Sequence, residues 1–542
     1  MTIRIANVAA LALVASAGLS SSAFAQVRGA STSVNPYVLP VAPGVTTVSI
    51  LTVGESVNNN PSGSPYRLVG IPDGMGAFNL NASSFSLLVN HELGNTQGIA
   101  RAHGGTGAFV SQWTINRATS GLDAFRVTNG QDAVQSNNDV RLYNATTQSY
   151  FTPAANDPDN RFNRFCSADL APATGLYNPL TGNGTQERLF MTGEESGVEG
   201  RAFALTIGNG GPTTITQLPA LGRTSWENAL VNPFQNHDRT IVMGMNDGAA
   251  GGYSYLYVGN RTNTGSAIER AGLTNGINYA LTVSVNGNAV TSESNAFALG
   301  SSALVTSGRF GYASLGNVTN LTGAQINAAA QAAGAFGLQR QEDGAWDTRT
   351  GFERDFYFVT TASATGESRL WRQRFDDITN PTAGGQIDVL WQSSFALTGP
   401  AGLAGTSNTE SPNGVRMMDN IAMDTHGRIF IVEDVGSNAI LGRVLMFDTN
   451  TNTMSVIAQF DRSLFGVGQP GLLTIDEEAS GIIDAESILG EGWLLLNVQA
   501  HYNISGELVQ GGQLLAIQIP TPGAGVLMAL GGLVASRRRR GA

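Results

Sequence analysis

Acidic side chains recur where apolar segments of this 542-residue chain begin or end. Polar residues start several such segments, namely Glu227, Glu342, Asp343, Asp419 and Asn420. Acids end several others, namely Glu92, Glu194, Glu195, Asp247, Glu433 and Asp434. Each acid taken singly is typical of a solvated turn, but carboxylates gathered together repel one another unless a cation neutralises them. Because Ca²⁺ binds about six to eight oxygens of carboxylates, amides and carbonyls, the pattern predicts a divalent-cation site.

Cysteine and histidine are scarce. The single Cys166 excludes a disulfide within the chain. Taken alone, it is typical of an inert buried thiol, whereas close to carboxylates it would suit a transition metal as a thiolate ligand. The histidines form neither H-x-H nor H-E-x-x-H, which disfavours a histidine-rich zinc site. His91 and His501 end two of the apolar segments, where a buried hydrogen-bonding role and a catalytic role are both compatible with the sequence.

Composition limits the classes of function. All 30 basic residues are arginine, and they stand against 41 acidic residues for a formal charge of −11. Without lysine the chain cannot form a G-x-x-x-x-G-K-[ST] phosphate loop, and no G-x-S-x-G nucleophile elbow is present. An acidic chain without a basic stripe disfavours nucleic acid as a partner.

The acids lie on a loosely repeated unit that sets the expected fold. Apolar strands with acidic or polar ends recur at 86–93, 188–195, 240–247, 355–361, 428–434 and 493–501. Each is followed by a second apolar strand, and shorter strands precede several of them, at 226–232, 342–347 and 419–424. Antiparallel meanders repeated in this way predict an all-β, six-bladed β-propeller with long insertions between blades. A large sandwich or two packed domains is the competing all-β reading, and the largest insertion is expected at about 260–340 with a helix over 324–336.

Both ends of the chain predict export. Residues 1–25 have the basic start, the apolar run and the A-x-A-like end of a secretory signal peptide. Residues 520–542 combine a Pro-Thr-Pro-Gly segment, an apolar run and four final arginines. This tail resembles the PEP-CTERM sorting signals of Gram-negative bacteria, which implies transient contact with the inner membrane. The expected body, 26–519, would then act in the periplasm, at the cell surface or in the extracellular matrix.

Short segments in a fixed order along the body resemble the PhoX family of bacterial alkaline phosphatases. They are Y-R-L-V-G-I-P-D-G-M-G-A-F with L-L-V-N-H-E-L, F-C-S-A with M-T-G-E-E, G-R-T-S-W-E, Q-E-D-G-A-W-D, M-D-N-I-A-M-D with I-V-E-D-V-G-S-N, and D-E-E-A-S-G-I-I-D-A with L-N-V-Q-A-H. T-G-E-E and C-S-A-D depart from the better-known phosphatases and point to a divergent branch.

The resemblance implies an exported phosphomonoesterase built on a six-bladed propeller, with calcium and iron clustered at the channel. Carried over by motif, Cys166 would be the thiolate ligand and Glu194 or Glu195 its partner, with Glu227 and Glu478 as further ligands. Asp419 and Asp434 would bind calcium. The whole expected metal set is Cys166, Glu194, Glu195, Glu227, Asp247, Glu342, Asp343, Asp419, Asn420, Asp434 and Glu478.

The implied reaction is metal-assisted hydrolysis of a small phosphate ester, in which metals bind the phosphate oxygens and offset their charge. Glu227 and Arg223 are the expected catalytic residues, because Arg223 precedes Glu227 closely and could bind phosphate oxygens in bidentate fashion. A salt bridge to a neighbouring acid is the alternative role of Arg223. Two other functions stay open: a non-catalytic calcium-binding propeller that serves as an envelope or matrix binding module, and a lactonase-like propeller hydrolase.

Overall fold

A computed structural model of the chain describes residues 25–208, 211–248, 252–297, 306–399, 403 and 405–520. The expected signal peptide, apart from Ala25, and the expected sorting segment, apart from Pro520, lie outside these residues. Within the described ranges, no helix combines the length and the apolar character needed to span a membrane.

Six short strands form a closed ring at the centre of the fold, and each contacts the next around the ring, the last contacting the first. In chain order these inner strands are Pro72–Asn79, Phe165–Leu170, Trp226–Val231, Gln341–Trp346, Met418–Met423 and Glu477–Asp484. An antiparallel sheet extends outward from each inner strand. The chain is therefore a six-bladed β-propeller, which confirms the predicted fold class, and the six sheets are called blades 1 to 6.

Three further strands complete each blade. The second strands are Ser84–His91, Arg188–Glu194, Arg239–Asn246, Asp355–Thr360, Arg428–Glu433 and Trp493–Asn503. The third strands are Phe109–Asn116, Ala202–Ile207, Tyr255–Asn260, Arg369–Phe375, Arg443–Asp448 and Gln510–Gln518. The fourth strands are Val127–Asp132, Thr214–Gln217, Ile277–Val285, Gly385–Gln392, Thr453–Phe460 and Thr46–Thr52.

The N-terminal segment closes the ring by completing the last two blades. Thr46–Thr52 pairs with Gln510–Gln518 in blade 6, and Ala25–Arg28 adds a parallel strand beyond it. Val38–Pro40 pairs with the outermost strand of blade 5. Residues from opposite ends of the described chain thus share two sheets, which joins the circle of blades.

Some strands extend the blades sideways. Val140–Asn144 and Ser149–Phe151 widen blade 2, while Ser56–Asn59 and Pro65–Arg67 form a separate hairpin. The short helices contribute little to the sheets. They are the α-helices Ala173–Leu176, Ala267–Arg270, Glu293–Ala296, Gly323–Ala332, Arg462–Phe465 and Glu486–Leu489, and the 3₁₀ turns Asn137–Asp139, Pro158–Asn160, Pro219–Leu221, Pro381–Ala383 and Gly506–Leu508.

The region expected as an insertion, 260–340, belongs largely to the propeller. Ile277–Val285 is the fourth strand of blade 3, and Asn288–Val290 pairs with it. Ser307–Gly316 pairs with both Ile277–Val285 and Gly385–Gln392, so blades 3 and 4 merge into one ten-stranded sheet. Gly252–Tyr253 and Gly337–Leu338 form a small separate pair. The helix Gly323–Ala332 begins at a capping box in which Thr322 and Gln325 satisfy each other's backbone N–H groups.

The core lies between neighbouring blades rather than within one sheet. Phe430 and Val432 of blade 5 pack in one buried cluster with Leu494 and Leu496 of blade 6. Strands such as Asp355–Thr360 are buried along their whole length because they are covered on both faces. Strands covered on both faces therefore need continuous apolar runs rather than a strict alternation of apolar and polar residues.

Removing Arg443 should destabilise the propeller strongly. Its side chain and that of Glu433 have no exposed surface, and their charged atoms approach to 2.7 Å. Arg443 also donates hydrogen bonds to the carbonyl oxygens of Pro412 and Gly414. We expect Arg443→Met to lower the free energy of unfolding by about 3–5 kcal/mol, because a buried carboxylate is left uncompensated.

Urea denaturation followed by circular dichroism measures this loss. As a matched control, Arg126→Met breaks an exposed pair with Asp123 and should cost only about 0–1 kcal/mol. The double variant Arg443→Met, Glu433→Gln should recover part of the loss, because it leaves no unpaired charge. If Arg443→Met and Arg126→Met lowered the free energy of unfolding equally, the buried pair would contribute no more to stability than the exposed pair.

Candidate metal centre in the propeller channel

A β-bulge sits near the start of five inner strands. There the pairing with the second strand slips by one residue, so two consecutive inner-strand residues face one partner residue. The slips lie between Pro72 and Met75, Phe165 and Ala168, Trp226 and Ala229, Gln341 and Gly344, and Met418 and Ile421. In blade 6 the slip comes later, between Ser480 and Ile482. The repeated bulge gives blades 2 to 5 two successive side chains at the channel, whereas in blade 1 the second bulge residue is Gly74.

The residue just before the inner strand has a left-handed backbone in four blades. It is Ile71, Arg164, Arg340 or Met417, with φ between 46° and 59°. Such a conformation costs about 1–3 kcal/mol for a residue other than glycine. The surrounding blades must hold this backbone in place, and the strain coincides with the bulges that aim side chains into the channel.

The bulges and strand ends produce a set of acids and one thiol at the channel. The first bulge residues are Asp73, Cys166, Glu227, Glu342 and Asp419, and Glu478 takes the equivalent place in blade 6. In each blade the first residue of the inner strand pairs with a residue of the second strand. The residue that follows this partner also lies at the channel. These residues are Glu92, Glu195, Asp247, Thr361, Asp434 and His501.

Three groups of these side chains are close enough to share metal ions. The groups are Asp73, Glu92 and Cys166; Cys166, Glu195 and Glu227; and Glu227, Glu342 and Asp419. Within each group the ligand atoms lie within 4.8 Å of one another. Cys166 and Glu227 each belong to two groups, so the three groups form one continuous candidate centre.

Several buried oxygens around this centre have no hydrogen-bond donor among the described residues. They are Asp73 Oδ1, Asn90 Oδ1, Glu227 Oε2, Asn420 Oδ1, Asn497 Oδ1 and Gln499 Oε1. A buried polar atom without a partner costs roughly 1–3 kcal/mol. Carboxylate and amide oxygens are the ligands that hard cations prefer, and the thiol of Cys166 adds a soft ligand. The donor set thus fits a centre that holds more than one type of metal ion.

Burial and crowding make the cluster prefer protons when no cation is bound. Burial raises the pKa of Glu227, Glu342 and Asp419 well above the ordinary range, and the neighbouring carboxylates raise it further. The pKa of the Cys166 thiol rises for the same two reasons. Burial also raises the pKa of Asp434 to about 7. Cations would therefore replace protons at this centre, and binding should strengthen as pH rises.

Blade 6 differs because it supplies an internal cation. Burial opposes ionisation of Glu478, but the nearby His501 and a hydrogen bond from Ser480 outweigh it and lower the pKa of this carboxyl. Burial likewise opposes the charge on His501, and Glu478 outweighs it and raises the pKa of the imidazole to about 10. The two side chains lie 3.6 Å apart, so this sector of the channel is already neutralised.

Chelation should destabilise the protein increasingly as pH rises. The carboxyls with raised pKa bind more protons in the folded metal-free state than in the unfolded chain. Their stabilising protonation is complete below the unfolded pKa of about 4 and is lost as pH rises through the folded pKa, about 7 for Asp434. Each such group contributes up to about 1.4 kcal/mol per pH unit.

Melting temperatures with Ca²⁺ and with EDTA at pH 5, 6, 7 and 8 test this expectation. We expect the gap between the two curves to widen with pH. Groups outside the cluster, such as the buried His91 and His103, titrate equally in both samples and cancel in the difference. A gap that stays constant or narrows toward pH 8 would contradict the expected exchange of protons for cations.

Two arginines lie at the mouth of the channel, and sequence reasoning missed both. Arg340 bonds Asp247 at 3.0 Å and lies 3.1 Å from Glu342. Arg164 bonds Glu92 at 2.6 Å and also contacts Glu195. These guanidinium side chains are 32% and 48% exposed. Each directly precedes a bulged inner strand, a position with no signal in the sequence.

Arg223, the arginine predicted from sequence, lies elsewhere. Its Nη1 is 3.7 Å from the carboxylate of Glu199. Together with Arg161 and Arg201 it lines a separate surface cavity of about 280 Å³. The structure therefore places Arg223 in the salt bridge that was its alternative role and does not bring it to the metal groups.

The structure places the predicted metal ligands at different positions. Cys166, Glu195, Glu227, Glu342 and Asp419 enter the metal groups, while Asp247, Asp434 and Glu478 line the mouth beside them. Glu194 does not reach the centre, because it points to the other side of its strand and forms an ion pair with Arg201. Glu433 is likewise held by Arg443.

Asp343 and Asn420 lie below the metal groups. Both oxygens of Asp343 are occupied, by Asn228 and the backbone N–H groups of Gly344 and Ile421. Sequence reasoning did not include Asp73, the first bulge residue of blade 1, or the amides Asn90, Asn497 and Gln499. The I-P-D-G segment around Asp73 could have shown it, because it aligns with the inner strands of the other blades.

Histidine contributes at one position. His91 is fully buried and bonds Ser111 and the carbonyl of Gly70, so it supports blade 1 rather than the channel. His501, by contrast, faces Glu478 at the mouth. His91 thus has the buried hydrogen-bonding role that the sequence left open, whereas His501 contacts a carboxylate and its catalytic role stays a prediction.

Fold and site together define a class: a six-bladed propeller whose channel gathers a thiol, carboxylates and arginines into a candidate metal centre. The sequence model of the alkaline phosphatase PhoX family matches residues 208–523, which is more than half of the chain. The chain belongs to the PhoX family. The matched region holds Glu227, Glu342 and Asp419, while Cys166 precedes it.

A solved structure of the family shares the fold. PhoX of Pseudomonas fluorescens, in complex with the transition-state analogue vanadate, has a TM-score of 0.57 at 14% identity, covering 91% of this chain and 97% of that one. A gluconolactonase from Xanthomonas campestris (TM-score 0.31, 9% identity, 89% and 97% covered) and a Trypanosoma rangeli sialidase (TM-score 0.34, 9% identity, 92% and 63% covered) are more distant and carry no weight for function. No curated protein sequence matched the chain.

Proposed function

We propose that this protein is a metal-dependent phosphoesterase that hydrolyses small phosphate monoesters at the mouth of the propeller channel. The observation that carries the proposal is the continuous centre of three ligand groups joined through Cys166 and Glu227, with an arginine at its edge. Membership of the PhoX family and the vanadate bound by PhoX of Pseudomonas fluorescens support a phosphoryl substrate.

The side chains would share the task of holding metal ions. The candidate ligands are Asp73, Glu92, Cys166, Glu195, Glu227, Glu342 and Asp419. The all-oxygen group around Asp419 suits Ca²⁺, and the groups that contain Cys166 suit iron. Bound metal ions would supply positive charge that neutralises the carboxylates and polarises the phosphoryl group.

Arg340 is the proposed phosphate clamp. Asp247 holds its Nε and Nη2 and Glu342 lies beside Nη2, so the planar group is fixed at the mouth. Its Nη1 makes no hydrogen bond to any residue that the structure describes. A fixed guanidinium with a free donor can bind phosphate oxygens while the metals hold the others. The centre itself is acidic, so without cations and Arg340 it would repel an anionic ester.

We further propose that the protein is exported. The proposal rests on the signal-like residues 1–25 and the PEP-CTERM-like residues 520–542, which suit the periplasm, the cell surface or the extracellular matrix of a Gram-negative bacterium. Fractionation of cells that express the full chain, with an antibody to the propeller, tests this. Recovery in the cytoplasm alone would contradict export.

Metal analysis and esterase assays of the purified protein test the activity. We expect bound calcium and iron, hydrolysis of p-nitrophenyl phosphate, and loss of that activity with EDTA. Bis(p-nitrophenyl) phosphate separates monoesterase from diesterase activity. Bound calcium without hydrolysis of either ester would instead support the non-catalytic binding module, and absence of any metal would contradict both functions.

A further inference from the structure

A floor of buried polar side chains lies beneath the metal groups. It consists of the second bulge residues Ser167, Asn228, Asp343 and Asn420, each at most 5% exposed. Asn228 and Asp343 also line a cavity of about 270 Å³ that residues of all six inner strands form at the far end of the channel. The floor thus separates the metal groups from that cavity.

One hydrogen-bond chain in this floor has a fixed direction. The amide Nδ2 of Asn420 lies 2.5 Å from Ser167 Oγ, and an amide nitrogen can only donate. Ser167 must therefore accept there, and when Glu227 is ionised, as a metal ligand must be, the hydroxyl proton of Ser167 goes to Glu227 Oε1, also at 2.5 Å. That length is typical of a hydroxyl bonded to a carboxylate.

The chain leaves one oxygen of Glu227 available. Glu227 is 1% exposed, and its Oε2 has no hydrogen-bond partner among the described residues. We propose that Asn420 and Ser167 are positioning residues, which fix Oε1 of Glu227 so that Oε2 is presented to a cation. This inference rests on the proposed metal centre and assigns a role to two residues that lie outside the three ligand groups.

A serine also holds the equivalent glutamate of blade 6. Ser480 donates to Glu478 Oε1 at 2.6 Å. Gln499 Nε2 lies 3.2 Å from Ser480 Oγ, but it lies closer to Asp73 Oδ2 and Glu92 Oε2, at 3.0 Å and 3.1 Å, and an amide has only two protons to donate. A serine hydroxyl bonded to Oε1 of a channel glutamate thus occurs at two places, whereas the full chain of amide, serine and glutamate is formed by Asn420, Ser167 and Glu227.

Titration of the chelator-stripped protein with Ca²⁺ alone, by isothermal calorimetry, tests the proposal without using activity. We expect Ser167→Ala to weaken Ca²⁺ binding by about 10- to 100-fold, the usual effect of removing a group that supports a metal ligand. Asn420→Ala should weaken it by a similar factor. The double variant should bind no more weakly than Ser167→Ala, because the two residues act as one chain.

Two further variants separate positioning from general damage. Ser167→Thr keeps the hydroxyl and should bind Ca²⁺ within a few-fold of the wild type. Ser254→Ala removes another fully buried hydroxyl, one outside the channel floor, and should leave the affinity unchanged. Circular dichroism of the stripped variants checks that each is folded.

Three results would overturn the inference: unchanged Ca²⁺ affinity in Ser167→Ala, equal losses in Ser167→Thr and Ser167→Ala, or additive losses in the double variant. All of them leave the proposed phosphoesterase standing, because wild-type binding and hydrolysis are unaffected. Failure of the wild type to bind any Ca²⁺ would instead remove the calcium centre itself, and the inference with it.

Discussion

Replacement of Glu227 by glutamine is expected to remove metal from the protein and to lower kcat for p-nitrophenyl phosphate by more than about 100-fold. Groups that merely support metal ligands typically contribute about 10- to 100-fold, and Glu227 belongs to two ligand groups at once. Glutamine keeps the shape of the side chain but carries no charge and offers a single oxygen. Metal content and kcat, measured on the same preparation, check the prediction.

Glu227→Gln should raise the stability of the metal-free protein, although it lowers metal content and kcat. Burial and the neighbouring carboxylates raise the pKa of Glu227, so its ionised form is unfavourable in the folded metal-free state. A neutral amide relieves that repulsion. We therefore expect EDTA-treated Glu227→Gln to melt at a higher temperature than EDTA-treated wild type, an outcome that a misfolded variant could not give.

Asp169→Asn is the matched control for Glu227→Gln. Asp169 also lies on an inner strand, and burial raises its pKa to about 7, but it lines the far cavity instead of the metal groups. We expect this variant to keep its metal and its kcat. If Glu227→Gln retained both, the catalytic centre would have to lie outside the joined ligand groups.

The propeller fold was predictable because the same order of apolar runs recurs along the sequence. Second strands such as Arg428–Glu433 are continuous apolar runs, since neighbouring blades cover both faces. The insertion at 260–340 was harder to interpret. Two strands of this region, Ile277–Val285 and Ser307–Gly316, join blades 3 and 4. Ser307–Gly316 is mostly partly exposed and rich in glycine and serine, a composition close to that of loops.

Site residues were predictable only where acids occupy equivalent positions in several repeats of the sequence. Glu227, Glu342 and Asp419 share a place in their blades and were found, whereas Asn90 was not, because a buried amide in a strand gives no local signal. Its importance appears only when its Nδ2 is seen donating to the Cys166 carbonyl and its Oδ1 is left without a partner. Tertiary contacts decide that orientation.

The two arginine candidates show the same limit. Arg223 lies close to Glu227 in the sequence, but proximity along the chain does not fix the direction of a side chain. Arg340 reaches the mouth because its left-handed backbone, with φ of 59°, turns the chain just before a bulged strand. Non-glycine residues rarely adopt this conformation, so an arginine in the sequence does not indicate it.

Arg340→Lys is expected to lower kcat/KM by about 100- to 1,000-fold, the usual cost of removing one fixed donor that faces developing charge. Lysine keeps the positive charge but cannot hold Asp247 and Glu342 while presenting a further planar donor. Competitive inhibition by inorganic phosphate should weaken as well. Metal content should change little, because Arg340 is not itself a ligand.

Arg223→Lys is the decisive comparison, because it makes the same substitution in the arginine that the sequence favours. Its weak contact with Glu199, at 3.7 Å, lies outside the ligand groups, so we expect kcat/KM and phosphate inhibition close to those of the wild type. The opposite ranking, with the larger loss in Arg223→Lys, would move the phosphate site toward the cavity beside blade 2. Equal and small losses would mean that metal ions alone bind the phosphoryl group. The pair of variants therefore separates a clamp selected by three-dimensional position from one selected by sequence proximity.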